Sequence, residues 1–346
     1  MRTTSTTSKD SPSGFTRTAD QVLTEARALE EPGHRAAVDR MPGLMRHIAG
    51  YHSGWWDADG RASGPGGGKS IRPALVLAAA TAVGGSRARA LDEAVAVELV
   101  HDSSLLHDDV IDGDLTRRHR PTAWSLYGVS AAVLAGDLLL TLAYDLLAGR
   151  PGLKVLTTAV IELCAGQAAD LALGERTDVG VEECTAMAVA KTSALLACAC
   201  ELGALAGGGG ERQRQLLAEF GRHLGLAFQL VDDLLGIWGD PAVTGKPAYN
   251  DLASRKKSLP VVAALNSGTP AGDHLARLYG LDHDGDHDFL NHMAALVDAA
   301  GGRAWAQQEA DKRMRTALDC LAQAVPDSSA SGDLVALARL IVRRDH

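Results

Sequence analysis

Residues 107–112 read HDDVID, and this short stretch places three acids within an apolar segment of helical character. Leu105 and Leu106 precede it, and no Lys or Arg follows before Arg117. A buried carboxylate must be paired or it takes up a proton. A divalent cation is the natural partner for acids placed in this way. The arrangement suits Mg²⁺ that holds a phosphate.

The spacing of these acids predicts their geometry. Asp108 and Asp112 are four residues apart, so a helix places their Cβ atoms about 6 Å apart on one face. Asp109 lies about 100° around the helix, where it either reaches a metal or only orients water. Gly113 ends the helix, and three acids near a helix C-terminus oppose its macrodipole. We therefore expect this site to be less stable empty than filled.

A second acidic pair follows downstream, where residues 229–236 read QLVDDLLG. Asp232 and Asp233 follow Gln229 by three and four residues, and Gly236 stands where a third Asp would complete the first pattern. A single carboxylate from this side is enough to complete a metal cluster. The simpler alternative for the first cluster is a solvated acidic helix end.

Composition favours closely packed helices. Among 346 residues, 46% are apolar but only 4% are aromatic, and Ala and Leu are abundant, a balance that disfavours a β-sandwich. A net charge of −9 is unlike that of most nucleic-acid binders. The five cysteines form no paired framework, which favours a reducing, cytoplasmic location.

The organisation along the chain predicts one domain. Residues 1–19 are Ser/Thr-rich and are predicted to be a disordered tail, and residues 20–346 are predicted to form one large all-α bundle. No signal peptide is evident. The most apolar stretches contain Asp137, Lys191 or Glu201, so no membrane span is expected.

Basic residues accompany the acids, and as a set they indicate two phosphate-bearing ligands. Arg provides bidentate binding of phosphate and Lys a point charge. No nucleophilic Ser–His–Asp or Cys–His arrangement, P-loop or dinucleotide fingerprint can be assigned, so the chemistry must come from metals and positioned charge. The basic set comprises Lys69, Arg72, Arg117, Arg118, Lys191, Lys246 and Lys256.

From about Gly67 to the C-terminus the chain resembles the trans-isoprenyl diphosphate synthases, the polyprenyl synthetase family. Many motifs stand in the family's order. They are Gly68-Lys69-x-x-Arg72-Pro73, His101, Asp108-Asp109-x-x-Asp112, Arg117-Arg118-x-x-Pro121-Thr122, Gly136-Asp137, Gly166-Gln167-x-x-Asp170, Lys191-Thr192, Phe228-Gln229-x-x-Asp232-Asp233, Gly245-Lys246, Asp251-Leu252, Lys256 and Leu259-Pro260.

The resemblance implies an all-α bundle, usually a homodimer, whose two Asp motifs face each other across a central cavity. It implies catalytic roles for Asp108, Asp109, Asp112, Asp232, Asp233 and Lys191, with three Mg²⁺ held by Asp108, Asp112 and Asp232. It implies that an allylic diphosphate is bound by Lys191, Lys246 and Lys256, with Arg117, Thr192 and Gln229 nearby. It implies that isopentenyl diphosphate is bound by Lys69, Arg72, His101 and Arg118.

Three departures from the family pattern accompany this resemblance. Gly236 replaces the last Asp of the second motif, His119 stands where Gly is usual, and Tyr249-Asn250 replaces a common Gly-Ser before Asp251. With Gly at position 236, the second motif still keeps one predicted metal ligand, Asp232. The last lies close to Lys246 in the sequence and puts the phosphate affinity there in question.

Product length is expected to depend on Ser103 and Ser104, which lie five and four residues before Asp108. They are about 6–7.5 Å along the helix from the metal site. In the family, bulky aromatic residues at these positions shorten the product, so two serines predict a product of at least twenty carbons, such as geranylgeranyl diphosphate. The alternative is that another wall limits the chain.

Two rival functions stay open on the sequence alone. A class I terpene cyclase shares the first Asp motif, but usually carries a different second motif and lacks the pocket of Lys69 and Arg72. A non-catalytic partner subunit of a prenyl synthase is the other alternative, because Gly236 and Tyr249 depart from the family pattern.

Overall fold

The computed structural model describes residues 17–63, 68–241, 248–281 and 285–342, and over these ranges it is helical almost throughout, which confirms the predicted all-α fold. The helices of the first half are α1 (Ala19–Val38), α2 (Gly43–His52), α3 (Ile71–Ala82), a 3₁₀ turn (Arg87–Ala90), α4 (Leu91–Asp112), α5 (Ala123–Tyr127), α6 (Val129–Leu146) and α7 (Gly152–Gly174).

The second half continues the same pattern of helices. It contains α8 (Val181–Ala188), a π-helical segment (Val189–Ser193), α9 (Ala194–Gly207), α10 (Glu211–Trp238), α11 (Asn250–Ala253), α12 (Leu259–Leu265), α13 (Pro270–Tyr279), α14 (His287–Ala299), α15 (Gly302–Ala324) and α16 (Gly332–Val342).

The N-terminal boundary of the fold lies slightly earlier than the sequence predicts. Of the predicted tail, residues 1–16 lie outside the described residues. Thr18 caps α1 in a capping box, because its side chain accepts from the backbone of Gln21 and the Gln21 side chain accepts from the backbone of Thr18. Arg17 forms ion pairs with Glu25 and with Asp333 of α16. Residues 17–19 therefore belong to the folded part of the chain.

Small residues let the central helices approach closely. On α9, Gly203 lies so near the carbonyl oxygen of Val76 on α3 that no Cβ would fit between them. On α10, a Cβ built on Gly221 would lie 2.5 Å from the carbonyl oxygen of Leu196 on α9. The Ala- and Gly-rich composition thus supplies the close helix packing that the low aromatic content predicts. This close packing also places α10 beside the segment that carries Lys191.

The chain also forms a very short hairpin that the sequence did not predict, made of β1 (Thr116–Arg117) and β2 (Arg120–Pro121). Its two central residues, Arg118 and His119, have φ values of 51° and 62°. A two-residue hairpin loop of type I′ requires positive φ at both central positions. Gly adopts such a φ without strain, which agrees with the Gly that the resemblance leads us to expect at the position of His119. The same holds for Tyr249, which has a φ of 62°.

Helices α6 and α7 are only partly covered by the rest of the described chain. Leu134 on α6 is 54% exposed and Ile161 on α7 is 70% exposed. Three helical segments, Val129–Leu146, Gly152–Gly174 and Val181–Gly207, are long and apolar enough to cross a membrane by length and composition. The expectation of no membrane span is therefore not confirmed, because occasional charges do not exclude these segments. Most of the third segment is buried inside the protein.

Candidate active site

The first acidic cluster lies at the C-terminal end of α4. Asp108 and Asp112 form no hydrogen bond or ion pair with any residue that the structure describes. Burial raises the pKa of each carboxyl group, and the repulsion between acids adds to this, while the Lys191 ammonium opposes it in both cases. Two such carboxylates, one helical turn apart and without a partner, fit a divalent cation.

Asp109 occupies a different environment from its two neighbours. It is 1% exposed, and its Oδ1 accepts a hydrogen bond of 2.7 Å from Nε of Arg117. Burial raises the pKa of its carboxyl group, and Arg117 counteracts the effect. The helical rotation predicted from the sequence thus directs Asp109 toward the β1–β2 hairpin. In the described structure its contact is with a cation that was predicted to bind substrate.

Lys191 lies in the π-helical segment between α8 and α9, beside the first cluster. Its Nζ donates to Oδ2 of Asp170 on α7 at 2.6 Å. Glycines on two helices flank this segment. A Cβ on Gly166 of α7 would lie 2.7 Å from Cα of Lys191, and a Cβ on Gly225 of α10 would lie 2.6 Å from Cα of Ser193. The π-segment, a feature frequent at functional sites, is therefore held between two close backbone contacts.

A chain of hydrogen bonds leads from this segment to the second acidic cluster. Oγ1 of Thr192 donates to Oε1 of Gln229 at 2.7 Å, and Nε2 of Gln229 donates to Oδ1 of Asp233 at 2.8 Å. Nζ of Lys256 donates to the same Oδ1 at 3.0 Å, and the backbone N–H of Leu259 donates to Oδ2 at 2.9 Å. The buried carboxylate of Asp233 is therefore connected by hydrogen bonds to α12 directly and, through Gln229, to the π-segment.

Lys256 is surrounded by acids. Burial alone would lower the pKa of its ammonium, but Asp233, Asp251 and Asp232 outweigh burial and raise that pKa. The hydroxyl of Tyr279 also donates to the backbone carbonyl of Lys256 at 2.6 Å. The structure thus places Lys256 beside the second acidic pair, with Asp251 as an additional neighbour.

The predicted pocket for a second phosphate-bearing ligand lies near the start of α3. A Cβ on Gly68 would lie 3.6 Å from Nη1 of Arg118 and 3.8 Å from Oε1 of Glu98. Burial lowers the pKa of the Arg72 guanidinium, and Glu98 counteracts this. Burial, with Arg72 and Arg118, holds the pKa of His101 well below its usual value. This imidazole is therefore neutral at pH 7, within a positive field that favours an anion.

A cleft of about 70 Å³ opens beside this pocket and is bordered by His52, Asp109, Arg117 and Arg118. It brings Arg117 and Arg118 to one wall, as their adjacency on the hairpin suggests. Lys69 is exposed just before α3. Lys246, which was predicted to bind the allylic diphosphate, lies outside the described residues.

The three predicted metal ligands do not form a compact cage of their own. In the ranges that the structure describes, no group of three or more His, Cys, Asp or Glu side chains is arranged to hold a metal ion. Mg²⁺ commonly takes one or two carboxylates and completes its octahedron with water and substrate phosphates. Asp108 and Asp112, one helical turn apart on α4, fit that mode of binding. Asp232 lies at the second acidic pair, near the Lys256 ammonium.

The serines expected to affect product length lie on the part of α4 before the acids. Ser103 is 3% exposed. Ser104 is half-buried, and its Oγ donates to the backbone carbonyl of His101 at 2.8 Å. Neither position carries a bulky side chain, which is the feature on which the length prediction depends.

Three acids of the site were given no role from the sequence. Asp170 binds Lys191, Glu98 lies beside Arg72 and Arg118, and Asp251 contacts Lys256 at 3.7 Å. Burial, together with neighbouring acids, raises the pKa of Glu98. For Asp170 and Glu98 a signal was available, because each is an acid within an apolar helical run, the same criterion that identified Asp108. Asp251 had no such signal.

The fold and the site together are characteristic of the all-α isoprenoid synthase class, in which helices carry acids toward phosphate-binding cations. The family model for polyprenyl synthetase matches residues 63–297. The chain belongs to the polyprenyl synthetase family, and by that membership it is a prenyl diphosphate synthase.

Individual relatives agree with this assignment. A (2E,6E)-farnesyl diphosphate synthase of Mycobacterium bovis is 46% identical over 341 residues, which is 95% of this chain and 94% of the relative. A geranylgeranyl diphosphate synthase of Mycobacterium tuberculosis is 46% identical over 331 residues, with 94% and 93% covered. A polyprenyl synthetase structure from Streptomyces coelicolor has a TM-score of 0.88 at 44% identity and covers 94% of this chain and 99% of its own. The two named products differ at equal identity, so identity does not determine product length.

Proposed function

We propose that the chain is a Mg²⁺-dependent prenyltransferase that condenses isopentenyl diphosphate head-to-tail with an allylic diphosphate. We propose geranylgeranyl diphosphate or a longer polyprenyl diphosphate as its product. One observation carries the proposal: the contacts Asp170–Lys191, Thr192–Gln229–Asp233 and Asp233–Lys256 connect the segment beside the first acidic cluster to the second. Cations and acids predicted to act on one diphosphate therefore belong to one connected site.

The donor set supports a divalent metal. Asp108 and Asp112 have no partner among the described residues, and burial raises the pKa of both carboxyl groups. With Asp232 they would hold Mg²⁺, which would neutralise the charge of a departing diphosphate. Carboxylates that are destabilised when alone are those that gain most from such a cation.

The residues of the chain can assist the transfer in a simple sequence. Lys191 and Lys256 bind the allylic diphosphate and stabilise it as its C–O bond breaks, which leaves an allylic cation. Arg72 and Arg118 hold isopentenyl diphosphate, so that its double bond lies against that cation and forms the new C–C bond. The released diphosphate then accepts the proton lost from the adduct. Water must be kept from the site during this step, because it would otherwise capture the cation.

One incubation tests this function. The purified full chain is mixed with isopentenyl diphosphate, farnesyl diphosphate and Mg²⁺, and the products are identified by mass spectrometry with and without EDTA. Longer diphosphates that disappear with EDTA support the proposal. A hydrocarbon product would instead indicate a terpene cyclase, and no product under any condition would indicate a non-catalytic partner subunit.

We expect Ser103→Phe to shorten the product. A phenyl ring five residues before Asp108, at a position that is 3% exposed, would fill space below the metal site that the growing chain needs. The measurement is the product distribution with saturating isopentenyl diphosphate, and Ser103→Ala serves as a control that leaves the position small. An unchanged distribution in a folded Ser103→Phe protein would remove Ser103 from the determinants of length.

We propose further that the protein is a homodimer that associates through α6 and α7. The support is the apolar surface of these helices, which includes Leu134 and Ile161, together with their low burial in the single chain. Exposed apolar patches of this kind mark protein or membrane contacts. Asp137 and Asp145 on α6 and Glu162 on α7 favour a protein partner over lipid.

A charge on this surface is expected to separate the subunits. Ile161→Asp would place an ion in the proposed apolar interface, where burial of an unpaired charge is costly. Light scattering coupled to size-exclusion chromatography should then report a monomer near 36.1 kDa. Leu44→Asp, at a residue on α2 that is 56% exposed, is the control and should stay dimeric. A dimeric Ile161→Asp protein would place the interface elsewhere.

We also propose a cytoplasmic location. Its support is that all five cysteines are free and three of them, Cys184, Cys198 and Cys200, are buried, as is common in reducing compartments. Cell fractionation tests it, and recovery of the protein with membranes or outside the cell would contradict it.

A further inference from the structure

The two-residue loop that carries Arg118 has a strained backbone. Arg118 and His119 both lie in the left-handed region, with φ values of 51° and 62°. Residues other than Gly keep this conformation only where the surrounding structure holds them in it. The guanidinium of Arg118 lies beside Gly68, at the predicted pocket for the second phosphate-bearing ligand. Contacts from the neighbouring residues must therefore keep the loop in this shape.

Arg120, directly after this loop, connects the hairpin to the end of α2. Its Nη1 donates to the backbone carbonyl of Tyr51 at 3.2 Å, and its Nη2 donates to the carbonyl of Trp56 at 2.9 Å. Its guanidinium carbon lies 4.2 Å from the centre of the Tyr51 ring, within the range of a cation–π contact. The hydroxyl of Tyr51 donates in turn to the carbonyl of Pro121 at 2.7 Å. Strand β2 is therefore bound to residues 51–56 by three hydrogen bonds and a ring contact.

The region that receives Arg120 is itself held firmly. Tyr51 is 5% exposed. The indole Nε1 of Trp56 donates to the carbonyl of His47 at 2.9 Å, and its ring packs so closely on α2 that no Cβ would fit on Gly50. The carbonyl groups that accept from Arg120 thus belong to a segment with little freedom to move.

The three arginines of the hairpin are engaged differently. Nε of Arg117 donates to Asp109 of α4 at 2.7 Å, and Arg120 is bound at the end of α2. Arg117 and Arg120 also face each other across the hairpin. Within the described part of the chain, Arg118 has no hydrogen bond or ion pair. The two flanking arginines are therefore occupied by the protein, and the one between them is available to a ligand.

We propose that Arg120, with Tyr51, is a positioning residue for isopentenyl diphosphate. It holds the left-handed loop against the end of α2 and thereby keeps the Arg118 guanidinium at the diphosphate pocket. Arg120 acts through Arg118, because its own donors are used by two backbone carbonyls. The identity of the ligand rests on the proposed function.

Arg120→Met tests this role, because Met keeps a long apolar stem but donates no hydrogen bond. The KM for isopentenyl diphosphate should rise about tenfold, since small displacements of a binding group are costly. The KM for the allylic diphosphate should stay close to the wild-type value. Arg46→Met is the matched control and should leave both unchanged, because Arg46 lies over the Trp56 ring but pairs with Asp39. An unchanged KM for isopentenyl diphosphate in folded Arg120→Met overturns the proposal.

Two double variants test whether Arg120 acts through Arg118 and the loop. In an Arg118→Met background, Arg120→Met should raise the KM by less than about twofold, since residues that act as one unit are not additive. A direct contact of Arg120 with the ligand would instead add its full factor. His119→Gly should recover most of the loss in Arg120→Met, because Gly adopts positive φ without strain. Full additivity, or no recovery, overturns the proposal.

Tyr51→Phe decides the matter if Arg120→Met does not fold. It removes only the hydroxyl that donates to Pro121 and should raise the KM for isopentenyl diphosphate about threefold. A wild-type KM in this variant overturns the proposal.

A binding measurement separates this proposal from the proposed function. The dissociation constant of inorganic pyrophosphate is measured by isothermal titration calorimetry in EDTA, where no divalent metal contributes. It should be about tenfold higher in Arg120→Met and should return toward the wild-type value with His119→Gly, even if the wild-type protein makes no prenyl product. If the wild-type protein makes longer diphosphates but neither KM nor this constant responds to Arg120→Met, prenyl transfer stands and the positioning role fails.

Discussion

Replacement of Asp112 by Asn is expected to lower kcat/KM for prenyl transfer by at least about 10²- to 10³-fold, without lowering the Tm of the metal-free protein. Activity falls and the Tm does not, because the Asp112 carboxylate serves the ligand and not the fold. It has no partner among the described residues, and burial with the neighbouring acids raises its pKa. The amide at position 112 therefore breaks no hydrogen bond or ion pair with a described residue.

The measurement combines steady-state kinetics with calorimetry in EDTA. Asp109→Asn is the matched control, because its carboxylate is 1% exposed and binds Arg117 at 2.7 Å. Asp109→Asn removes the charge that accepts this hydrogen bond, and a hydrogen bond to a charged group contributes about 1.5–3 kcal/mol, so Asp109→Asn should lower the Tm in EDTA. If Asp112→Asn and Asp109→Asn lowered the metal-free Tm equally, the functional assignment of Asp112 would fail.

The contrast between these two acids also shows what the sequence could determine. The spacing of Asp108 and Asp112 was sufficient to place both on one face of α4, because helical geometry is local. It also placed Asp109 about 100° away. The sequence could not identify the partner of Asp109, because Arg117 reaches it only through the β1–β2 hairpin, whose left-handed residues Arg118 and His119 are not a recognisable turn signal.

The same limit applies to the second acidic cluster. The sequence grouped Asp232 and Asp233, but the structure gives Asp233 a buried position between Gln229, Lys256 and the N–H of Leu259. Two of these contacts, those from Lys256 and Leu259, depend on how α12 and the segment before it return to α10, which is a tertiary relation. The contact of Asp251 with Lys256 is hidden for the same reason. The proximity of Asp251 to Gly236 likewise arises from packing across fourteen residues of intervening chain.

The π-segment was not predictable either, since a run of apolar residues around Lys191 is compatible with a regular helix. Its position is set by glycines on neighbouring helices. Gly166 was identified only as part of a family motif, and its physical role becomes evident from the backbone of Ala190 and Lys191 beside it. The Gly at this position of the motif thus has its physical reason in a contact that is distant along the chain.

Gly166→Ala is expected to lower kcat by about 10²-fold, although it adds a single methyl group. That methyl group would lie 2.7 Å from the carbonyl carbon of Ala190 and from Cα of Lys191, and even closer to the amide nitrogen of Lys191. A backbone cannot rotate away as a side chain can, so the π-segment must shift and carry Lys191 away from Asp170 and the first acidic cluster. A displacement of about 1 Å near the reacting groups can cost this factor.

Gly174→Ala provides the matched control on the same helix, because a Cβ at Gly174 has no atom within 4 Å. It should retain the wild-type kcat. The measurement is kcat for both variants with saturating substrates, together with the Tm in EDTA. In a helix Ala is favoured over Gly by about 1 kcal/mol, so a lower Tm in Gly166→Ala would report the clash directly. Wild-type kcat in Gly166→Ala would contradict this prediction. It would show that the position of Lys191 does not depend on the close contact with the backbone of α7.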